Sequence, residues 1–258
     1  MSPDSVALDM FTVRFAMEDR QINEGLWEEI DEQHFPPQVR NRLRQYGFRV
    51  GVVGGPIPMR LSRLLELSET PPPTQLGTNA VDLQSESTVL RRHLQLRARC
   101  PGKIICSDFH ERLPVFCREP ETGRVSGDVL ESAQCILAIR AFPEPDGNIR
   151  VEMVPEVHHG QAKRRFAREN GVLRFKTEQP KRAFEELAIT AILAPGQMIV
   201  VTALPDRPGS LGHHFLTDDS SGKTEQELMV IRLSQTQNAP LFDGEGLPPP
   251  EPELDLTD

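Results

Sequence analysis

Hydrophobic positions alternate at the start of the chain. In VALDMFTVRFA, Val6 to Ala16, the residues Phe11, Val13 and Phe15 fall on one side, with Leu8, Met10, Thr12 and Arg14 on the other. That two-residue period predicts a half-buried strand. The period then lengthens. Ile22, Leu26, Trp27 and Ile30 recur at helical spacing, with Asn23 placed to cap the helix. Pro36 and Pro37 end that helix and open the next, QVRNRLRQYG, which puts Val39, Leu43 and Tyr46 on one face. Gly47 suits a left-handed stop. FRVGVV, Phe48 to Val53, predicts a strand; Gly54, Gly55, Pro56 and Pro58 a turn; and Met59, Leu61, Leu64, Leu65 and Leu67 a third helix. Residues 1–70 therefore read as a small β-α-α-β-α module.

TPPPTQ, Thr70 to Gln75, opens a linker over 71–88. From 89 to 238 the texture is that of short strands. Predicted runs are Leu94–Arg99, Lys103–Cys106, Pro114–Arg118, Ala133–Phe142, Asn148–His158, Val172–Thr177, Ala183–Leu193, Gln197–Leu204 and Glu227–Ser234. PEPDGN, Pro143 to Asn148, joins two of them as a hairpin, with Ile136, Ala138, Arg140 and Phe142 facing Ile149, Val151, Met153 and Pro155 in a register that the sequence leaves open. The expected fold class is α+β: the N-terminal module followed by a mainly antiparallel β domain.

Charge and composition sharpen this picture. The formal charge is −9, and Asp243, Glu245, Glu251, Glu253, Asp255 and Asp258 supply six of those charges in a stretch without Lys or Arg. With Pro240, Pro248, Pro249, Pro250 and Pro252 in the same stretch, residues 239–258 are expected to be a disordered acidic tail. Aromatics are only 5% of the chain, which argues against a base-stacking platform, and the net charge argues against a nucleic-acid partner. Cys100, Cys106, Cys117 and Cys135 contain no CxxC pair, so free thiols on strands are expected rather than a zinc site, with one or two disulfides in an oxidising compartment. MSPDSVALDMF shows no signal-peptide pattern; the compartment reads as cytoplasm, or as periplasm or envelope if a leader has been removed.

Motifs for chemistry are sparse. GVVGGP, Gly51 to Pro56, lacks the order of a nucleotide loop and reads as a strand-to-turn bend. His158-His159 and His213-His214 are two adjacent pairs, and neighbours on a strand point to opposite faces; a metal would need one from each pair plus a carboxylate such as Asp218. Surface or turn histidines are the simpler reading. An enzyme with a site between the two regions would draw on Asp108, His110, Glu111, His159 and His213, although no spacing forces them together. Lys163, Arg164, Arg165 and Arg168 lie in what reads as a polar connection, and Arg40, Arg42, Arg44 and Arg49 add charge to the first module. A cytoplasmic regulator would use Arg40, Arg42 and Arg44 on an anionic partner. No catalytic, cofactor or metal residue is assigned.

The β-rich part resembles the C-terminal homology domain of bacterial secretins. CILAIRAFPEPDGNIRVEMVPEV is similar to that family's paired strands, APGQMIVVTAL to its following strand, RPGSLGHHF to a shortened segment carrying Leu211, Gly212 and Phe215, and QELMVIRLSQ to its closing strand. Ala203 stands where the family has Gly, and Ser234 and Gln235 replace its Thr-Pro. Residues Glu119 to Leu130 are too few for the family's membrane-spanning hairpins. The resemblance implies a β scaffold without membrane insertion. It would act as a structural or interaction protein of an envelope assembly, with protein partners including copies of itself and without cofactor or metal.

Overall fold

The computed structural model describes residues 5–66, 89–118, 125–169, 172–219 and 222–237. The strand β1 (Ser5–Ala16) leads through short helical turns to α1 (Pro37–Gln45), β2 (Phe48–Val53) and α2 (Met59–Glu66). Then follow β3 (Val89–Arg97), β4 (Gly102–Ile105), β5 (His110–Arg118), β6 (Val125–Pro143) and β7 (Ile149–His158). Next come β8 (Lys163–Glu169), β9 (Val172–Glu178), β10 (Lys181–Ala183), β11 (Ile189–Leu193) and β12 (Met198–Ala203). The chain continues with α3 (Leu211–Phe215), β13 (Thr217–Asp218) and β14 (Glu225–Gln237). The protein is thus mixed α+β with antiparallel sheets, and a small helical segment precedes a mainly β region.

The first sheet has the order β2-β12-β14-β1-β3, with β13 beside β14. The strands of residues 1–70 make no sheet of their own: β1 pairs with β14 and β3, and β2 pairs with β12. The second sheet is built on β6 and β7, with β4 and β5 along one edge of β6 and β10 and β11 along one edge of β7. Strands β8 and β9 form a separate hairpin.

The two sheets pack face to face. Leu8 and Met10 of β1, Ile199 and Val201 of β12, and Met229 and Ile231 of β14 meet Leu137, Ile139, Val151 and Met153 from the second sheet. The opposite face of the first sheet is also covered. Phe11, Val13, Val200 and Val230 pack under Ile22, Leu26, Trp27, Ile30 and Leu61. Burial on both faces explains why every residue of β12, MIVVTA, is buried and reads as a continuous apolar run.

Several sequence expectations need correction. The segment around Leu26 is not one α-helix. It is a π-turn at Gln21–Gly25 followed by 3₁₀ turns at Leu26–Glu28 and Glu32–His34, and its apolar residues are buried as the spacing predicts. Asn23 does not cap it; the Asp19 carboxylate accepts from the Gln21 and Ile22 N–H groups, and the Asn23 amide donates to the Met17 carbonyl. Lys163, Arg164, Arg165 and Arg168 lie on β8, not in an irregular connection. In the hairpin of β6 and β7 the pairs are Ala141 with Val151 and Ile139 with Met153. Cys135, Leu137, Ile139 and Ala141 therefore share the core-facing side with β7, and Ile136, Ala138, Arg140 and Phe142 take the outer side. A one-residue change of register inverts every side chain, which is why alternation alone could not choose between them. The expected linker 71–88 and tail 239–258 lie outside the described residues.

The helix α3 sits against the turn between α1 and β2. Gly47 has φ +84°, which glycine adopts without strain, and its carbonyl accepts from the Leu204 N–H. The Gly212 N–H donates to the Tyr46 carbonyl at 2.8 Å, and Phe215 meets Phe48 edge-on at 5.6 Å. A Cβ at position 212 lies closer than 3.0 Å to the backbone of Gly47 and Phe48. Gly212→Ala is therefore expected to cost about 1–3 kcal/mol of unfolding free energy by overpacking. Gly55→Ala, whose Cβ meets open space, should change it by less than about 0.5 kcal/mol. Guanidinium unfolding midpoints of the two variants check the contrast.

Candidate interaction surfaces

Charge is concentrated at the free edge of the first sheet. Strand β3 reads VLRRHLQLR, and its pairing with β1 sets His93 opposite Asp9, which in turn sits opposite Arg232 of β14. The Asp9 carboxylate is almost fully buried. It accepts from Arg232 Nη2 at 2.8 Å, lies 3.0 Å from His93 Nδ1 and 3.4 Å from Arg91 Nη2. Burial alone pushes its pKa up, but the hydrogen bonds from Arg232 and His93 and the charges of Arg91 and Arg232 outweigh that and hold it below the ordinary value. Both guanidinium groups also lie over the Phe11 ring, at 5.3 Å and 5.7 Å. Among the described residues no strand pairs with the outer edge of β3.

A second exposed feature is the ribbon made by β5 and the first half of β6. Leu113 and Val115 turn inward and are buried, while Pro114 and Phe116 turn outward opposite Val129 and Gly127. Phe116 and Val129 are each more than half exposed, at 55% and 51%; Phe109, just before β5, is 59% exposed. The Phe116 ring lies over Gly127, where a side chain would crowd it. Pro114 lacks an N–H and belongs on an edge strand, as it is here.

The structure brings together only some of the histidines and acids singled out from sequence. His110 at the start of β5 faces His214 on α3, with ring centroids 6.3 Å apart, and His213 lies 5.9 Å from His214. Nε2 of both His110 and His214 is buried without a hydrogen-bond partner. Burial, and then the charges of His213 and His110, pushes the His214 pKa down to about 4, so its ring is neutral at pH 7. The Asp108 and Glu111 side chains are exposed, and the His159 N–H donates to the Pro180 carbonyl. His158 is not a surface histidine. It is buried, with Nε2 2.9 Å from Glu156, which also accepts from Lys181 Nζ at 2.6 Å. Asp218, named as a carboxylate for a histidine site, instead pairs with Arg14 at 2.8 Å, and Arg14 also binds Glu227. Among the described residues no three His, Cys, Asp or Glu side chains are grouped to hold a metal ion.

Of the four arginines singled out in residues 1–70, Arg42, Arg44 and Arg49 are engaged, while Arg40 Nε is buried without a hydrogen-bond partner. Arg44 and Arg49 both grip Glu32, at 2.6 Å and 2.5 Å, and Arg42 donates to the Glu186 carbonyl. Arg49 also stacks over Trp27 at 4.3 Å. Cys100, Cys106 and Cys135 are free thiols. The Cys106 N–H donates to the Cys135 carbonyl across the strands. Burial, together with the neighbouring Cys135, raises the Cys106 pKa, and burial pushes that of Cys135 up to about 12. Both thiols are therefore protonated and poor nucleophiles. No helix among the described residues is long and apolar enough to cross a membrane.

Acid should destabilise the fold in two separate windows. His214 is harder to protonate folded than unfolded, so its contribution is complete above about pH 6.5 and is lost as pH falls towards about 4. Asp9 keeps its charge to lower pH when folded than when unfolded, so its contribution is present above the unfolded carboxylate pKa and disappears as pH falls through the lowered folded value. His214→Phe should flatten the upper window only. Asp9→Asn should cost about 1–3 kcal/mol at neutral pH, a difference that vanishes below the lower window. Urea unfolding measured across pH tests both. Alkylation followed by mass mapping should label exposed Cys100 well before Cys106 and Cys135; equal rates would contradict the burial described. Compared with known proteins, the chain matches no family model, no curated protein and no solved structure.

Proposed function

We propose that the protein is a non-enzymatic interaction protein that associates with copies of itself, serving a bacterial envelope assembly of the secretion or pilus type. The observation that carries this reading is the outward face of the ribbon of β5 and β6. Phe116 and Val129 expose more than half of their surface there, beside Pro114. Exposed apolar side chains grouped on one face are a contact surface in search of a partner. A second copy fits because the same face, turned through a two-fold axis, is its own complement.

The resemblance to secretins supports the same reading, since neighbours in those rings pair through β-strands. Pro114 removes a donor from the middle of the β5 edge, so we assign the contact to the face of the ribbon rather than to a continued hydrogen-bond ladder. A metal-dependent reading has less support. His110, His213 and His214 lie together, but among the described residues no carboxylate completes a metal-binding group with them, and Asp108, Glu111 and His159 do not join them.

Light scattering coupled to size exclusion tests the proposal over about a hundredfold range of concentration. The mass should rise towards the dimer or above, and Phe116→Glu should hold the protein at the monomer mass with an unchanged circular dichroism spectrum. A chain that stays monomeric throughout the range, or a Phe116→Glu variant that associates as the natural chain does, would overturn it.

A further inference from the structure

We infer that the acidic segment 239–258 docks on the basic strip of β3 in its own chain. Between Arg91 and Lys103 the sequence RRHLQLRARCPGK contains five Lys and Arg residues and no acid. Arg91, Arg92, Arg97, Arg99 and Lys103 are all exposed. Arg91 has Asp9 as a partner, but among the described residues Arg97, Arg99 and Lys103 form no ion pair. The near end of the strip is thus an unneutralised cationic surface on a protein whose net charge is −9.

Topology delivers the acids to this place. Gln237, the last residue of β14, is paired with Ser5, and Ser5 is paired with Arg97 on its other side. Two strand spacings separate Gln237 from Arg97, about 10 Å. Strands β14 and β3 both run antiparallel to β1, so the chain leaves the sheet at the same end as Arg97, Arg99 and Lys103. Asp243 follows Gln237 by six residues, enough to reach about 20 Å. From Arg97 back to Arg91 the strip is again about 20 Å long. The stretch from Asp243 to Asp255, which holds five of the segment's six acids, can span it.

The mode of contact follows from composition. Pro240, Pro248, Pro249, Pro250 and Pro252 have no N–H to donate, so the segment cannot extend the sheet as a continuous strand. Side-chain charge holds it, and salt therefore releases it. Tethering supplies an effective concentration of the order of millimolar, so weak pairs suffice in the intact chain where a free peptide would bind poorly. The inference is independent of association through the β5–β6 ribbon, which uses other residues.

The test measures fluorescence anisotropy of a labelled peptide of residues 239–258 against two full-length chains. One is the natural chain. The other carries Asp243→Asn, Glu245→Gln, Glu251→Gln, Glu253→Gln, Asp255→Asn and Asp258→Asn. The neutralised chain should bind the peptide at least about tenfold more tightly, because its own segment no longer competes. Adding Arg97→Gln and Arg99→Gln to it, or separately Lys103→Gln, should weaken binding with the circular dichroism spectrum unchanged. Raising salt from about 0.1 M to about 1 M should abolish it, as the screening length falls from about 10 Å to about 3 Å. Absence of peptide binding to the neutralised chain at low salt overturns the inference, as does equal binding to both chains. A labelled single-stranded oligonucleotide that binds the natural chain as tightly as the neutralised one would also overturn it, since the strip would then be open to another polyanion.

Discussion

Twelve residue pairs join β1 to β14, and every other strand of the first sheet hangs from that ladder. Strand β3 attaches to β1, β12 to β14, and β2 to β12. The sandwich core lies on one side of the ladder and the helical layer on the other. The contact is extremely non-local: Asp9 and Arg232, bonded across it, are 223 positions apart. Closing such a loop costs entropy before any contact repays it. The gain comes when both faces bury at once, with Leu8 and Met10 on one side and Phe11 and Val13 on the other. A topology of this kind folds slowly, since its central pair cannot form until nearly the whole chain is available.

Within that frame Asp9 has a positional role. It is a buried acid in the middle of an apolar strand, two residues from a register shift between Ala7 and Leu8. Shifting β14 by one residue would separate Arg232 from it and leave a buried carboxylate short of its strongest donor. Removing a partner from a buried charge costs far more than the pair contributes. The ion cluster therefore specifies which residues align, while the apolar surface supplies most of the stabilisation.

Local patterning made many elements legible. β2 was readable residue for residue, as were α1 with Leu43 and Tyr46 inward, and the positions of β7, β12 and β14 to within a few residues. What periodicity could not reveal was partnership. Nothing local in VALDMFTVRFA indicates that it pairs with the far end of the chain, so residues 1–70 looked like a module of their own. The helical turns around Leu26 show the other limit: their apolar residues needed burial against Phe11 and Val200, and the backbone met that need with π and 3₁₀ turns instead of a regular helix. The site was less legible. The alternation from Leu94 to Arg99 predicts a strand, but nothing local marks RRHLQLRAR as the charged free edge of a sheet. The approach of His110 to His214 depends on α3 packing beside β5, which no spacing encodes. The β5–β6 ribbon was shortened by its polar sequence, because VSGDVLES alternates too weakly to announce a strand.

Ser5 and Gln237 are cross-strand neighbours, so the described part of the polypeptide starts and finishes at one point. A short peptide joining them would close the backbone into a ring without lengthening or bending either strand. New termini could then be opened at the turn Glu144–Asn148, leaving all twelve rungs between β1 and β14 intact. In such a rearranged molecule the most distant pairing of the natural sequence becomes a local hairpin, and the order in which the sheet assembles changes while its architecture does not.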